Sequence, residues 1–390
     1  MKIYFKNLIF LFTFLFYNSV QSQEGLPIYT DYLTENYYLL HPSMAGVNLE
    51  GIKLRMTSRK NWLDQPDAPN LQTFSADARL NDRSGVGVIL FKDENGYNSQ
   101  TGVSLTYAHH INFNDDRSRM NEPNLFNYGS INQLSFGLSI GGVQNSLNSS
   151  TFQNVIGNQD PLISAINQSS GYFNMDVGAS YVNFNYFAHL TFKNVLFSPS
   201  NIYGDQTYDF SKNYTSFIKY VASFGYLFFT ETPFSFEPSI LFHGSKLTSE
   251  KAIDYNLKSY YNLDYGYMWL GLSYRQSFDG ANYLDGEKLT KQSYRLITPI
   301  FGVSYKDFVF SYNYSYQQGN IILGTGGFHQ VTLGYNINFK SLDEQFGLVE
   351  KQTDRKEDIV AVTGEELGTE EAKAKVRQDG GDPYYQVFQQ

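Results

Sequence analysis

The chain has 390 residues, of which 32 are Tyr, 32 Phe and 2 Trp, yet only 17% are charged and the net charge is −9; ordinary soluble domains carry roughly 25% charge. Mean hydropathy is −0.37, and past the first two dozen positions no apolar run nears the roughly 20 residues a spanning helix needs, which excludes a polytopic helical membrane protein. The negative balance also argues against nucleic acid as a partner, since neutralising phosphates takes a basic stripe.

At the N-terminus, Lys2 and Lys6 precede an apolar run over residues 8–17, and Ser22 offers a small residue before Gln23. This pattern predicts a secretory signal peptide over residues 1–22, too short to span a bilayer. With no Cys in the chain, a lipid-anchored Cys, disulfides and thiolate metal sites are excluded. The expectation is an unlipidated protein exported to the envelope.

Residues 23–340 read as strands, because apolar and polar side chains alternate with period two. Phe74, Ala76, Ala78 and Leu80 alternate with Thr73, Ser75, Asp77 and Arg79. The same holds for Leu134, Phe136, Leu138 and Ile140, for Phe173, Met175, Val177 and Tyr181, and for Phe234, Phe236, Pro238 and Ile240. Phe308, Phe310, Tyr312, Tyr314 and Tyr316, then Val331, Leu333, Tyr335, Ile337 and Phe339, predict the last two strands, the final one ending on an aromatic. Few charges and long aromatic rows on one strand face fit lipid outside and a polar lumen inside. A soluble sandwich would instead bury those rows. At about 22 residues per strand and connection, with spanning strands of about 9–11 residues, the region predicts about 14 strands. The fold class is therefore all-β: a transmembrane antiparallel β-barrel with a periplasmic C-terminal tail.

Turn lengths give an orientation. Lys306-Asp307 joins two strands with almost no spacer, whereas residues 318–327 form a longer Gly-rich connection. Short turns face the periplasm and long loops the outside. Aromatic clusters at strand ends, Tyr265, Tyr267 and Trp269 or Tyr226, Phe228 and Phe229, suit interfacial girdles.

No catalytic, cofactor or metal signature emerges. His109 and His110 are adjacent, so on a strand they face opposite ways and cannot chelate one ion. The strand charges Asp77, Arg79, Asp176, Glu237, Arg275 and Arg295 either line a solute pathway or pair with one another to fill the lumen.

The most specific stretch is near the start. Residues 29–46 are Tyr-rich and end in His41-Pro42-Ser43-Met44-Ala45-Gly46. Arg59-Lys60-Asn61-Trp62, then Asp67-Ala68-Pro69, a strand, and Asp93-Glu94-Asn95-Gly96 follow in order. This series resembles the PorP/SprF family of outer-membrane proteins, associated with type IX secretion and gliding motility in Bacteroidetes. The family's Asn-Pro-Ala, Gln-Trp and Gly-Ala-Pro stand here as His41-Pro42-Ser43, Asn61-Trp62 and Asp67-Ala68-Pro69. Gly327-Phe328-His329-Gln330 also resembles its terminal His-Glu pattern, with Gln330 replacing Glu. The resemblance implies structural roles or partner binding for His41, Pro42, Gly46, Arg59, Trp62, Ala68, Pro69, Asp93 and Gly96. It also implies a non-enzymatic accessory that meets outer-membrane lipid and periplasmic ring or scaffold proteins, or a large secreted surface adhesin. A channel for small or hydrophobic solutes is the other expectation.

The last segment, residues 341–390, reads as an acidic periplasmic tail, holding −6 of the −9 charge. A short helix starts near Thr369, with acids first and bases last to match its dipole. Beyond Gly380-Gly381-Asp382-Pro383, the apolar side chains of Tyr384, Tyr385, Val387 and Phe388 predict a docking peptide for a periplasmic partner.

Overall fold

The computed structural model describes residues 35–47, 51–61, 68–81, 83–96, 98–113, 132–147, 169–183, 185–196, 218–230, 232–245, 251–263, 265–278, 280, 282–285, 288–291, 294–319 and 327–337. The strands are β1 (Ile52–Asn61), β2 (Asn70–Asn81), β3 (Ser84–Asn95), β4 (Asn98–Asn112), β5 (Asn132–Leu147), β6 (Ser169–Asn183) and β7 (Tyr186–Lys193). They continue with β8 (Lys219–Tyr226), β9 (Phe234–Ser245), β10 (Lys251–Leu263), β11 (Gly266–Ser277), β12 (Tyr294–Tyr305), β13 (Phe308–Gly319) and β14 (Phe328–Ile337). Each pairs antiparallel with its neighbours in sequence, and β1 pairs with β14 from Ile52↔Ile337 to Asn61↔Phe328, so the 14 strands close into a barrel. Closure removes every free sheet edge, the only way a sheet can cross a bilayer. A two-residue strand, Phe228–Phe229, continues along β9, and a separate hairpin, Asn282–Asp285 with Lys288–Lys291, lies within the β11–β12 connection.

Side-chain parity sorts the two faces as the alternation predicts. The apolar rows point outward: Phe173 is 74%, Leu105 64% and Leu270 63% exposed. Such a surface suits acyl chains and would be a severe aggregation liability in water. The opposite parity points inward and is rich in small polar residues: Thr57, Ser75, Thr106, Ser135, Ser180, Thr191, Ser223, Ser273 and Ser311 are all buried, alongside the apolar Val182, Val221, Leu241 and Ile300.

One expectation is corrected. Tyr265 is exposed, but Tyr267 and Trp269 do not join a girdle, because they share the inward parity of β11. Trp269 is only 1% exposed and packs with Tyr260, Tyr267 and Leu227 inside the lumen. Room for it comes from Gly302 on β12, where a Cβ would lie 2.0 Å from the indole. Tyr226, Phe228 and Phe229 are exposed, as a girdle requires.

The near rim is the end where β1 starts and β14 finishes. There, connections 82–83, 184–185, 264–265 and 306–307 are two residues long, while residues 113–131 form a longer one. The far rim carries the long connections 148–168, 194–218 and 278–293.

A strap across the lumen as the candidate functional site

Residues 36–47 are buried without exception, although they belong to no strand. Their sequence explains their path. Tyr37–Leu40 forms a single helical turn, α1, that ends at His41, which is extended at φ −123°, ψ 104°. A residue preceding proline is pushed out of the helical region. Pro42 then opens a 3₁₀ turn, Pro42–Met44, where its fixed φ and missing N–H cost nothing. Gly46 takes φ +68° to turn the chain toward β1, a conformation glycine adopts without strain.

From His41 onward this strap follows the inner wall from β7 back to β2, on the near-rim side. Lys193 Nζ donates to the Leu39 carbonyl at 3.1 Å. His41 Nδ1 lies 2.9 Å from the Thr191 hydroxyl and Nε2 3.3 Å from that of Ser223. The Ser43 and Ser180 hydroxyls are in contact. Tyr38 donates to Thr106 Oγ1 at 2.8 Å, and Asn36 to Ser75 Oγ at 3.1 Å. His110 Nε2 lies 3.0 Å from the Ala45 carbonyl. A carbonyl only accepts, so Nε2 carries the proton and Nδ1 accepts from Gln133 Nε2 at 2.9 Å. At the end of the strap, Asp77 Oδ2 accepts from Gly46 N at 2.9 Å and Arg79 Nη1 donates to Gly46 O at 3.1 Å.

The wall makes room with glycines. A Cβ at Gly85 would lie 2.1 Å from Ala45 O, one at Gly137 2.2 Å from the Pro42 carbonyl carbon, and one at Gly87 2.4 Å from the Tyr38 ring. Real Cβ contacts that short do not occur, so these strand glycines are a cradle shaped to the strap.

The other end is held by charge. Lys258 on β10, fully buried, donates to Glu35 at 2.8 Å and lies 3.2 Å from Glu237 on β9. Tyr260 OH lies 2.9 Å from Glu35 Oε1 and 3.0 Å from Glu237 Oε2. Lys258 also donates to Tyr37 OH at 3.0 Å. β2 and β9 are seven strands apart in a ring of 14, so the strap is held from opposite sides of the barrel. Elsewhere in the wall, Arg275 and Asp254 form a buried bidentate pair with both contacts at 2.6 Å.

The sequence-predicted residues divide between the two ends of the barrel. His41, Pro42 and Gly46 come together in the strap. Arg59, Asp93 and Gly96 lie at the far rim: Arg59, Leu71 and Asp93 occupy one register row across β1–β3, Arg59 sits 5.2 Å over the Phe328 ring, and Gly96 makes the β3–β4 turn at φ +59°. Ala68 is buried, and the Pro69 carbonyl accepts from Asn61 N at 2.9 Å beside them. Trp62, Tyr384, Tyr385, Val387, Phe388 and Phe339 lie outside the described residues. Of the strand charges, Asp77, Arg79, Glu237 and Arg275 face inward and are paired or hydrogen-bonded, and Asp176 accepts from Asn194 N at 2.9 Å. Arg295 is the exception: it is exposed, because it has the outward parity of β12. Sequence reading missed Glu35 and Lys258 and the cradle glycines; the only sequence signal for the latter was glycine recurring at inward positions of otherwise regular strands.

Chemically, this arrangement fills space and pins a segment. Among the described residues, no group of three His, Asp or Glu side chains could hold a metal ion. The His41 and His189 rings lie 4.7 Å apart, tilted by 31°, with hydroxyls around them.

The fold is similar to several solved barrels. With the CymD monoaromatic hydrocarbon channel it shares 12% identity over 78% of this chain and 92% of that one, TM-score 0.45. With the Pseudomonas putida toluene transporter TodX it shares 12% identity over 82% and 100%, TM-score 0.40. With the translocator domain of the autotransporter NalP from Neisseria meningitidis it shares 11% over 78% and 95%, TM-score 0.31. No curated protein matches the chain. The family model described as type IX secretion system membrane protein PorP/SprF matches residues 21–335, the strap and the barrel together. The ordered motifs, the closed barrel and this match agree, and the chain belongs to the PorP/SprF family of type IX secretion system membrane proteins.

Proposed function

We propose that the protein is a non-enzymatic accessory of the type IX secretion and gliding machinery, seated in the outer membrane with its near rim and residues 341–390 in the periplasm. The strap carries this reading. A solute channel needs a continuous water path, whereas here residues 36–47 lie buried across the lumen and bonded to its wall. Four of the five two-residue turns between barrel strands lie at the near rim, which favours a periplasmic near rim, as in other outer-membrane barrels. That rim would meet ring or scaffold proteins, with Tyr384, Tyr385, Val387 and Phe388 docking by strand addition or in an apolar groove. The long far-rim connections would hold an exported partner, such as a large surface adhesin, during export or at the surface.

Planar-bilayer recordings test the central claim: the purified protein is expected to show no steady conductance. A steady open current, or uptake of small hydrocarbons, would overturn it in favour of the solute channel, the activity carried by the names of CymD and TodX. Removing residues 351–390 is expected to lose periplasmic partners from the co-purified barrel. Unchanged recovery of those partners would remove the docking role of the tail. A deletion strain that still displays its adhesin normally would remove the surface role.

A further inference from the structure

Past Gly46 the chain leads toward β1, while Glu35, at the other end of the described segment, is gripped by the β10 side chains Lys258 and Tyr260. No strap residue takes part in the sheet, and the strand ladder is complete without it. Five of its wall contacts are to hydroxyls, those of Ser75, Thr106, Ser180, Thr191 and Ser223, groups that water serves equally well. Its apolar packing centres on Leu40 and Met44 against Val182, Val221 and Leu241.

We propose that residues 35–47 form a hinged strap, with Gly46 as hinge and the Glu35–Lys258–Glu237 cluster as latch, so that releasing Glu35 swings the strap off the lumen and leaves the barrel intact. Two observations make the latch reversible. Glu35 is held at φ +61°, a left-handed conformation that side chains other than glycine rarely adopt, and release relieves it. The wall side also remains paired afterwards: Lys258 keeps Glu237 at 3.2 Å, and Tyr260 keeps its 3.0 Å bond to the same carboxylate. No buried charge is then stranded, which is what makes breaking an ordinary buried pair so costly. At the hinge, Gly46 is the residue whose backbone tolerates rotation; the Arg79 bond to its carbonyl anchors the β1 side, and the Asp77 bond to its N–H is given up as the strap swings.

The full-length protein tests this in planar bilayers, and the lack of native Cys makes cross-linking clean. Glu35→Ala is expected to raise the open fraction by about fivefold over wild type, the scale of one modest ion pair. Adding Ser43→Cys with Ser180→Cys, whose hydroxyls touch in the native protein, is expected to abolish those openings when oxidised and restore them on reduction. Heat-modifiable migration on gels checks that each barrel is folded. If Glu35→Ala does not assemble, Glu35→Gln carries the same test, because it keeps an acceptor for Tyr260 and loses only the charge. Folded Glu35 variants as shut as a shut wild type would overturn the hinged strap and leave the accessory role standing. Openings that persist through the cross-link would also overturn it.

Discussion

Gly137 offers the sharpest test that the wall is shaped to the strap. It faces inward on β5, and a Cβ there would lie 2.2 Å from both the Pro42 carbonyl carbon and the Ser43 nitrogen, where ordinary contact begins at 3.4 Å. Gly137→Ala therefore pushes the strap backbone away by roughly 1 Å, beyond what van der Waals contact absorbs. That displacement breaks the Ser43–Ser180 contact and stretches the 2.9 Å His41–Thr191 bond. Overpacking costs about 1–3 kcal/mol, and each lost neutral hydrogen bond about 0.5–1.5 kcal/mol. Docking of the strap should weaken by about 2–4 kcal/mol, or about 30- to 1,000-fold in the docked-to-free ratio. The β5 backbone itself is undisturbed, because extended strand geometry suits alanine. The assay is limited proteolysis in detergent, scoring cleavage within residues 35–47. The control is Gly142→Ala on the same strand, where an added Cβ meets nothing within 4 Å. If Gly137→Ala resists protease as well as Gly142→Ala does, the cradle argument is wrong.

Two further outcomes follow from burial and parity. Arg275→Met leaves Asp254, 1% exposed at its side chain, buried without its cation, and is expected to cost about 3–5 kcal/mol in urea unfolding from lipid vesicles; the double variant Asp254→Leu with Arg275→Met should recover most of that loss. On the outer face, Leu105→Arg at the middle of β4 is expected to destabilise by about 2–4 kcal/mol, while Thr101→Arg nearer the far rim costs about 0–1 kcal/mol. Equal losses at the two positions in the same unfolding assay would contradict the assigned lipid face.

The barrel was largely legible because a membrane-spanning strand leaves a period-two record. Phe74 to Leu80, Phe173 to Tyr181 and Phe308 to Tyr316 each show the face they present, and spacing alone yields a count near 14, the number in the ring. The girdle assignment failed at Trp269 because an aromatic ring suits either an interface or a lumen core, and composition cannot choose between them. Parity with Met268 and Leu270, both exposed, makes the choice. The motif residues His41, Pro42 and Gly46 stood out as a turn-rich string, yet nothing local places them inside a barrel. His41 meets Thr191 and Ser223, 150 and 182 positions away.

The alternation of side chains was enough to determine the class of fold, the lipid-facing rows and the polar character of the interior, because each strand residue has only two directions to point. The occupant of that interior was decided by closure. Only when β1 meets β14 do Glu35 and Lys258, 223 positions apart, come within hydrogen-bonding distance, and only then do glycines on β3 and β5 become space for a strap. Whether a charge or a missing side chain in a lumen is stabilising depends on what lies across from it, and that is a property of the ring and not of any one strand.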